Sequence, residues 1–249
     1  EDLIGQLQVT QSRYEETLSD IARRYGLGFR EITQANPSVD PWLPGEGTRV
    51  IIPTRFILPP GPRQGIVINL AELRLYYYLP QQQRVITHPL GIGRQGWSTP
   101  VGETHISRKQ SNPSWRPPPS IREEYAKQGE TLPPVVAPGP DNPLGEFALY
   151  LGRPGYLLHG TNRPYGVGMR VSHGCIRLYP EDIEPLFREI SVGTPVRIIN
   201  TPYKAGWHQQ QLYIEAHPPL LEQPMQQGKN LTPLVSAIVE QLKGSPIQP

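Results

Sequence analysis

The chain of 249 residues has one cysteine and a formal net charge of only +2. It also has no run of 18 apolar residues and no block of five like charges. A single thiol cannot close an internal bridge, so a disulfide scaffold is excluded. Without a long apolar run, no helix is expected to span a membrane. The small, dispersed charge gives nucleic acid no footing as the main partner. Glycine shows no period of three, which excludes a collagen-like chain. The sequence opens at Glu1 without a methionine or a signal-like stretch, so either a leader is expected to have been removed or the sequence trimmed, and the compartment is not read from it directly. Apolar residues, at 37 %, suffice for a core, so wholesale disorder is excluded.

What the chain has in excess is proline, 31 residues. Nine of them fall between Pro113 and Pro143, a stretch that reads as neither a regular helix nor a central strand. Loops of that length in compact domains are usually functional lids or disordered segments. A second cluster, Pro53 to Pro62, reads as a stiff linker and puts a boundary near residue 60.

Residues 1–58 read as a small β-α-α-β unit. Leu18, Ile21, Ala22 and Tyr25 form a helical stripe, opened by a Thr17/Asp20 capping box and stopped at Gly26. A second short helix carries Phe29, Ile32 and Ala35 and closes at Asn36-Pro37. After the linker, 59–63, residues 64–200 turn to strands: Gly65–Leu70, then Leu73, Leu75 and Tyr77 alternating with Glu72, Arg74 and Tyr76, with Ala71-Glu72 as a hairpin turn. Arg84–Ile92, Thr104–Lys109, Glu146–Leu151, Gly155–Leu158 and Thr194–Asn200 are further strand candidates. One helix carries Ile183, Leu186, Phe187 and Ile190, with Pro185 tolerated only if Asp182 caps it. The expectation is a mostly β (α+β) fold with one main helix. In residues 201–249, Leu212–Ala216 suits a strand, and a helix opens at Thr232-Pro233 and stops at Gly244.

The chemistry concentrates between Gly155 and Arg177. His159-Gly160 precedes Ser172-His173-Gly174-Cys175-Ile176-Arg177. A lone cysteine is more often a small buried hydrophobe than a nucleophile. Here it has one histidine two positions away and another at strand-to-strand distance. A thiol needs a neighbouring base or cation to be mostly thiolate near neutral pH, and an imidazole supplies one. Gly174 removes a side chain beside the sulfur, so backbone N–H groups can approach a developing oxyanion. The rival reading makes His159, His173 and Cys175 three ligands of a catalytic zinc. It lacks an obvious carboxylate to orient the imidazoles.

These residues, with Arg177, resemble the active-site motif of the L,D-transpeptidases with a YkuD-type catalytic domain. The likeness runs over roughly residues 64–200 and includes Ile66–Tyr78, Gly91-Ile92-Gly93 and Thr99-Pro100-Val101-Gly102. Asn69–Tyr78 and Asp141–Gly145 are most similar to the ErfK/YbiS/YcfS/YnhG group. The first fifty residues are similar to a LysM module, with Arg13-Tyr14-Glu15-Glu16 in place of the usual Gly-Asp turn.

The resemblance implies a β-sandwich catalytic domain under a Pro-rich cap, about 108–145, with Trp115 near its start. It implies that Cys175 attacks the meso-diaminopimelate carbonyl of a tetrapeptide stem of peptidoglycan and expels D-alanine. His159 would be general base and then acid, oriented by a main-chain carbonyl such as that of Gly160, and His173 auxiliary. Ser172 and Arg177 would hold the turn or face stem carboxylates. The acceptor could be another stem, an outer-membrane lipoprotein, or water, the last making an L,D-carboxypeptidase. No cofactor or metal is implied; the partners are stem peptides and glycan strands, and the compartment is the periplasm. A zinc-dependent hydrolase and a non-catalytic cell-wall binding protein are the alternatives.

Overall fold

The computed structural model describes residues 2–220 and 231–243. The fold is mostly β, with 34 % of the chain in strands and 22 % in helices. The N-terminal unit runs β1 (Leu3–Gln11), α1 (Leu18–Arg24), α2 (Phe29–Ala35) and β2 (Arg49–Ile57). β1 and β2 pair antiparallel, from Leu3 opposite Ile57 to Gln11 opposite Arg49. The capping box at α1 is formed: the Asp20 amide donates to Thr17 Oγ1 (3.2 Å) and the Thr17 amide to Asp20 Oδ2 (2.9 Å).

The remaining elements are β3 (Gly65–Asn69), β4 (Arg74–Leu79), β5 (Arg84–Pro89), β6 (Ile92–Gly93), β7 (Gly102–Ser111) and α3 (Pro119–Lys127). After them come β8 (Phe147–Leu151), β9 (Leu157–His159), β10 (Arg170–Ser172), β11 (Ile176–Arg177), α4 (Pro180–Glu189) and β12 (Pro195–Ile199). Last are β13 (Tyr203–His208), β14 (Gln211–Ala216) and α5 (Thr232–Lys243). Eight strands form one curled sheet in the order β11-β9-β8-β7-β12-β3-β4-β5, and β6 pairs with β10 beside it. Inside the curl, Ile66, Ile68, Leu75, Ile106, Leu149, Leu158, Ile176 and Ile198 pack against Ile183 and Leu186 of α4.

The sheet is covered on its other face too. Val67, Tyr76 and Tyr78 join Leu18, Ile21, Ile32, Val50 and Ile52 of the N-terminal unit in a second apolar cluster. Successive side chains of a strand point to opposite faces, so β4 is buried on both faces from Arg74 to Tyr78. The alternation expected at Glu72, Arg74 and Tyr76 therefore does not mark a solvent face: these residues are 3 %, 1 % and 0 % exposed.

Two local expectations change. The 113–143 segment does contain a helix, α3, because its prolines cluster at 117–119 and 133–140 and leave the intervening residues free of proline. Pro119 stands at the helix start, where an amide would have no intrahelical partner. α4 starts at Pro180 with Tyr179 as N-cap, so Asp182 lies within the first turn and caps nothing, and Pro185 is inside the helix. The strand expected at 212–216 is β14 and the helix opening at Thr232 is α5; the Gly244 stop lies outside the described residues.

Candidate active site

β9 ends on His159, and β11 begins one residue after Cys175. The two strands pair in parallel at the edge of the sheet, Ile176 opposite Leu158 and Arg177 opposite His159. Leu158 and Ile176 enter the main core, so by alternation Leu157, His159, Cys175 and Arg177 share the other face. On that face Leu144, Ala148 and Leu157 form a third apolar cluster, against which Trp115, Tyr150 and Cys175 pack.

His159 is buried, and its Nδ1 lies 2.5 Å from the Gly160 carbonyl oxygen. Burial and the Arg177 charge depress its pKa to about 3, against the carbonyls of Gly160 and Leu144, which favour the protonated ring. The Cys175 thiol is 3.6 Å from the Gly155 carbonyl oxygen. Desolvation pushes it up to about 11, opposed by the Leu157 amide and Arg177. Both shifts favour neutral groups, in place of the thiolate–imidazolium pair that sequence adjacency suggested.

The turn that presents the thiol is pinned on both sides. Thr99 Oγ1 donates to the Gly174 carbonyl (2.9 Å), and Ser172 Oγ donates to the Cys175 carbonyl (2.5 Å). In a planar trans peptide the Cys175 N–H points opposite to the Gly174 carbonyl that Thr99 holds. Gly174 has φ +99°, and a Cβ there would lie 3.1 Å from the Tyr156 ring, so both conformation and space favour glycine. Arg177 is tied to Gly91 by reciprocal main-chain hydrogen bonds of 2.8 Å, while its Nε is buried without an acceptor among the described residues.

His173 faces elsewhere. Its ring sets an edge against Trp97, with centroids 4.8 Å apart. Its Nε2 is 3.3 Å from both Glu124 Oε2 and Arg94 Nη2. Burial, ahead of the opposing pull of Glu124, keeps its pKa below the usual imidazole value. The three candidate zinc ligands do not form a converging donor set. Among the described residues, the one group of three or more such donors within 4.8 Å of one another is Glu72, Glu215 and His217.

The model of the YkuD L,D-transpeptidase catalytic domain matches residues 63–198. Probable L,D-transpeptidase YbiS of Escherichia coli (strain K12) is 44 % identical over 98 % of this chain and 81 % of its own length. The chain belongs to the L,D-transpeptidase family. Probable L,D-transpeptidase YcfS of the same strain is 49 % identical over 83 % of this chain, and ErfK/SrfK 47 % over 82 %; the match spans 66 % of each of these relatives. A solved L,D-transpeptidase from Mycobacterium smegmatis aligns with 78 % of this chain and 92 % of its own at 18 % identity, with a TM-score of 0.43.

Family membership leaves several residues that sequence reasoning missed. Glu124 supplies a carboxylate beside His173, and it comes from α3, in the segment read as irregular. Arg94 follows the Gly91-Ile92-Gly93 run, and its amide donates to the Ser172 carbonyl (2.9 Å), fixing its backbone to the cysteine motif. The spacing 94…124…173 carries no local signal, since it is closed only by the fold.

Proposed function

We propose that this L,D-transpeptidase family member is a cysteine-dependent peptidoglycan transpeptidase of the periplasm. The observation that carries the reading is the β9/β11 pairing, which sets Cys175 and His159 on one face of neighbouring strands, with the His159 ring oriented by a main-chain carbonyl.

Donation of Nδ1–H to Gly160 leaves Nε2 of His159 as a proton acceptor. Because thiol and imidazole are both neutral at rest, the proton leaves sulfur as Sγ bonds to the meso-diaminopimelate carbonyl carbon. The carbonyl electron pair moves to oxygen, where the Cys175 N–H is placed to receive it. Collapse breaks the bond to D-alanine, whose amine takes the proton from His159, and a thioester remains. An acceptor amine then attacks the thioester, gives its proton to His159 and displaces the thiolate, which is reprotonated. The acceptor is a second stem or the lysine of an outer-membrane lipoprotein.

The cap segment 108–145 covers the donor cleft in this reading, supported by Trp115 packing over the cluster that holds Cys175. The N-terminal unit serves as a LysM-like glycan-binding surface, supported by exposed Tyr14, Trp42 and Leu43. Trp42 is stacked on Phe29 at 5.4 Å, which holds it as a flat platform for a sugar ring.

Incubation with disaccharide-tetrapeptide, with and without a lipoprotein C-terminal peptide, tests the function by mass analysis. Loss of D-alanine with a new cross-link or conjugate is expected, and none after Cys175→Ala. Release of D-alanine with tripeptide alone would make the protein a carboxypeptidase, and glycan binding without turnover would make it a binding protein.

A further inference from the structure

Arg94 Nη2 lies 3.3 Å from His173 Nε2, and what it holds is a carboxylate from the cap. Both oxygens of Glu124 contact the same nitrogen, Arg94 Nη2. An arginine satisfies a carboxylate best through two parallel N–H bonds from two nitrogens. Here the Nε–H is buried with no acceptor among the described residues. The guanidinium is thus only half used by its internal partner: Nη2 carries both Glu124 and the contact to His173, the histidine two positions from the thiol, while Nε carries neither.

The two partners are anchored unequally. Arg94 is tied through its amide to Ser172, on the strand that leads into the cysteine motif. Glu124 sits on α3, where Ile121 alone is buried and most of the other side chains are exposed. Glu124 is also the carboxylate that His173 contacts. Losing the Glu124 contact would therefore leave the backbone tie between Arg94 and the motif in place.

We propose that Arg94 is a specificity-determining receptor for a free carboxylate of the donor stem, and that Glu124 occupies it in the resting enzyme as an internal competitor that latches the cap. This deepens the transpeptidase reading and rests on it. A tetrapeptide stem offers two sources of that chemistry, the C-terminal D-alanine carboxylate and the free carboxylate of meso-diaminopimelate. Either can take the two-pronged grip through Nε and Nη2 that Glu124 leaves unmade. Exchange of one carboxylate for another then couples donor binding to release of the latch.

Binding is measured by calorimetry in the full chain carrying Cys175→Ala, with the native tetrapeptide, a C-terminal amide and a diaminopimelate-amidated form. One amide is expected to bind at least about tenfold more weakly, which names the carboxylate that is read. Arg94→Gln should abolish the discrimination, and Arg94→Lys should restore part of it. Glu124→Gln should bind native stem more tightly and make 119–127 more sensitive to protease; Arg122→Gln, on an exposed position of the same helix, should change neither. Equal binding of all three peptides by the Cys175→Ala chain overturns the proposal. So does equal weakening by Arg94→Gln and Glu124→Gln, which would mark the pair as structural. Turnover by the chain with Cys175 intact is measured separately, so failure of the enzymatic reading shows as lost chemistry with the binding discrimination intact.

Discussion

Arg74 of β4 and Glu31 of α2 form a two-pronged ion pair, Nε to Oε1 at 2.7 Å and Nη2 to Oε2 at 2.9 Å. The Arg74 side chain is 1 % exposed, its guanidinium also donates to the Gly26 carbonyl, and it lies over the Phe56 ring at 4.0 Å. The pair joins the N-terminal unit to the sheet inside a shared apolar cluster. Removing one partner of a buried pair strands the other charge, at a cost of about 3–5 kcal/mol. Arg74→Ala should therefore lower the urea midpoint strongly. Deleting residues 1–58 should do more, because Val67, Tyr76 and Tyr78 would face water. A truncated chain that melts like the full one would show that the two parts fold independently.

A second docking point bears on the active site. Gly168 has φ +81°, and a Cβ there would lie 2.2 Å from the Phe29 nitrogen; a Cβ on Gly28 would lie 2.6 Å from the Gly168 Cα. This close approach lets the Phe29 and Arg30 amides donate to the carbonyls of Val167 and Gly168, just before β10. Gly168→Ala should cost about 1–3 kcal/mol from overpacking, beyond the strain of positive φ. Because the loop leads into Ser172-His173-Gly174-Cys175, the rate of Cys175 acylation by a donor should fall as well. An unchanged thermal midpoint would count against this docking.

Much of this was legible from local sequence, because strands, the α1 capping box and the cysteine motif are written in neighbouring residues. Alternation put Glu72, Arg74 and Tyr76 on one face of the strand, but alternation does not report what covers that face. Only the packing of Leu18, Ile21 and Ile32 onto Tyr76 reveals a second buried face. Glu124 was invisible for the same reason: the missing carboxylate is distant in sequence and arrives on a helix hidden among prolines. The expectation of Cys175 and His159 at strand-to-strand distance came from spacing, and β9 and β11 do pair, whereas the neutral state of both depends on burial that no spacing encodes.

That neutral state sets the pH dependence. The His159 pKa falls from the ordinary 6.5 to about 3, so the folded state binds fewer protons than the unfolded chain between those values. Its contribution to stability is present above pH 6.5 and is lost as pH falls toward 3. The Cys175 pKa rises from 9.0 to about 11, so its contribution is present below pH 9 and is lost as pH rises through 11. In native protein, alkylation of Cys175 by iodoacetamide should stay slow at neutral pH and accelerate only between pH 9 and 11. A rise centred near pH 7 would instead indicate a resting ion pair.

The C-terminal hairpin is held by charge. Lys204 of β13, 1 % exposed, meets Glu72 in the β3–β4 turn, Glu215 of β14 at 3.1 Å and the Ile57 carbonyl at 2.5 Å. The Ile57 amide donates to Glu215 Oε2 (2.6 Å), and His217 Nε2 lies 2.7 Å from Glu215 Oε1. Burial raises the Glu72 pKa. For Glu215, Lys204 and His217 outweigh burial and hold it at about 2. Lys204→Met leaves two carboxylates buried together and should cost about 3–5 kcal/mol at neutral pH. Acid sharpens the test. The Glu215 contribution is present above its unfolded value of 4.5 and is lost as pH falls toward 2. Without Lys204 that carboxylate should protonate earlier, so part of the deficit should disappear by pH 4. Lys204→Met combined with Glu72→Gln should recover stability at neutral pH, because the stranded charge goes with its partner. A double variant as unstable as Lys204→Met alone would show that the lysine stem, and not the charge cluster, holds the hairpin.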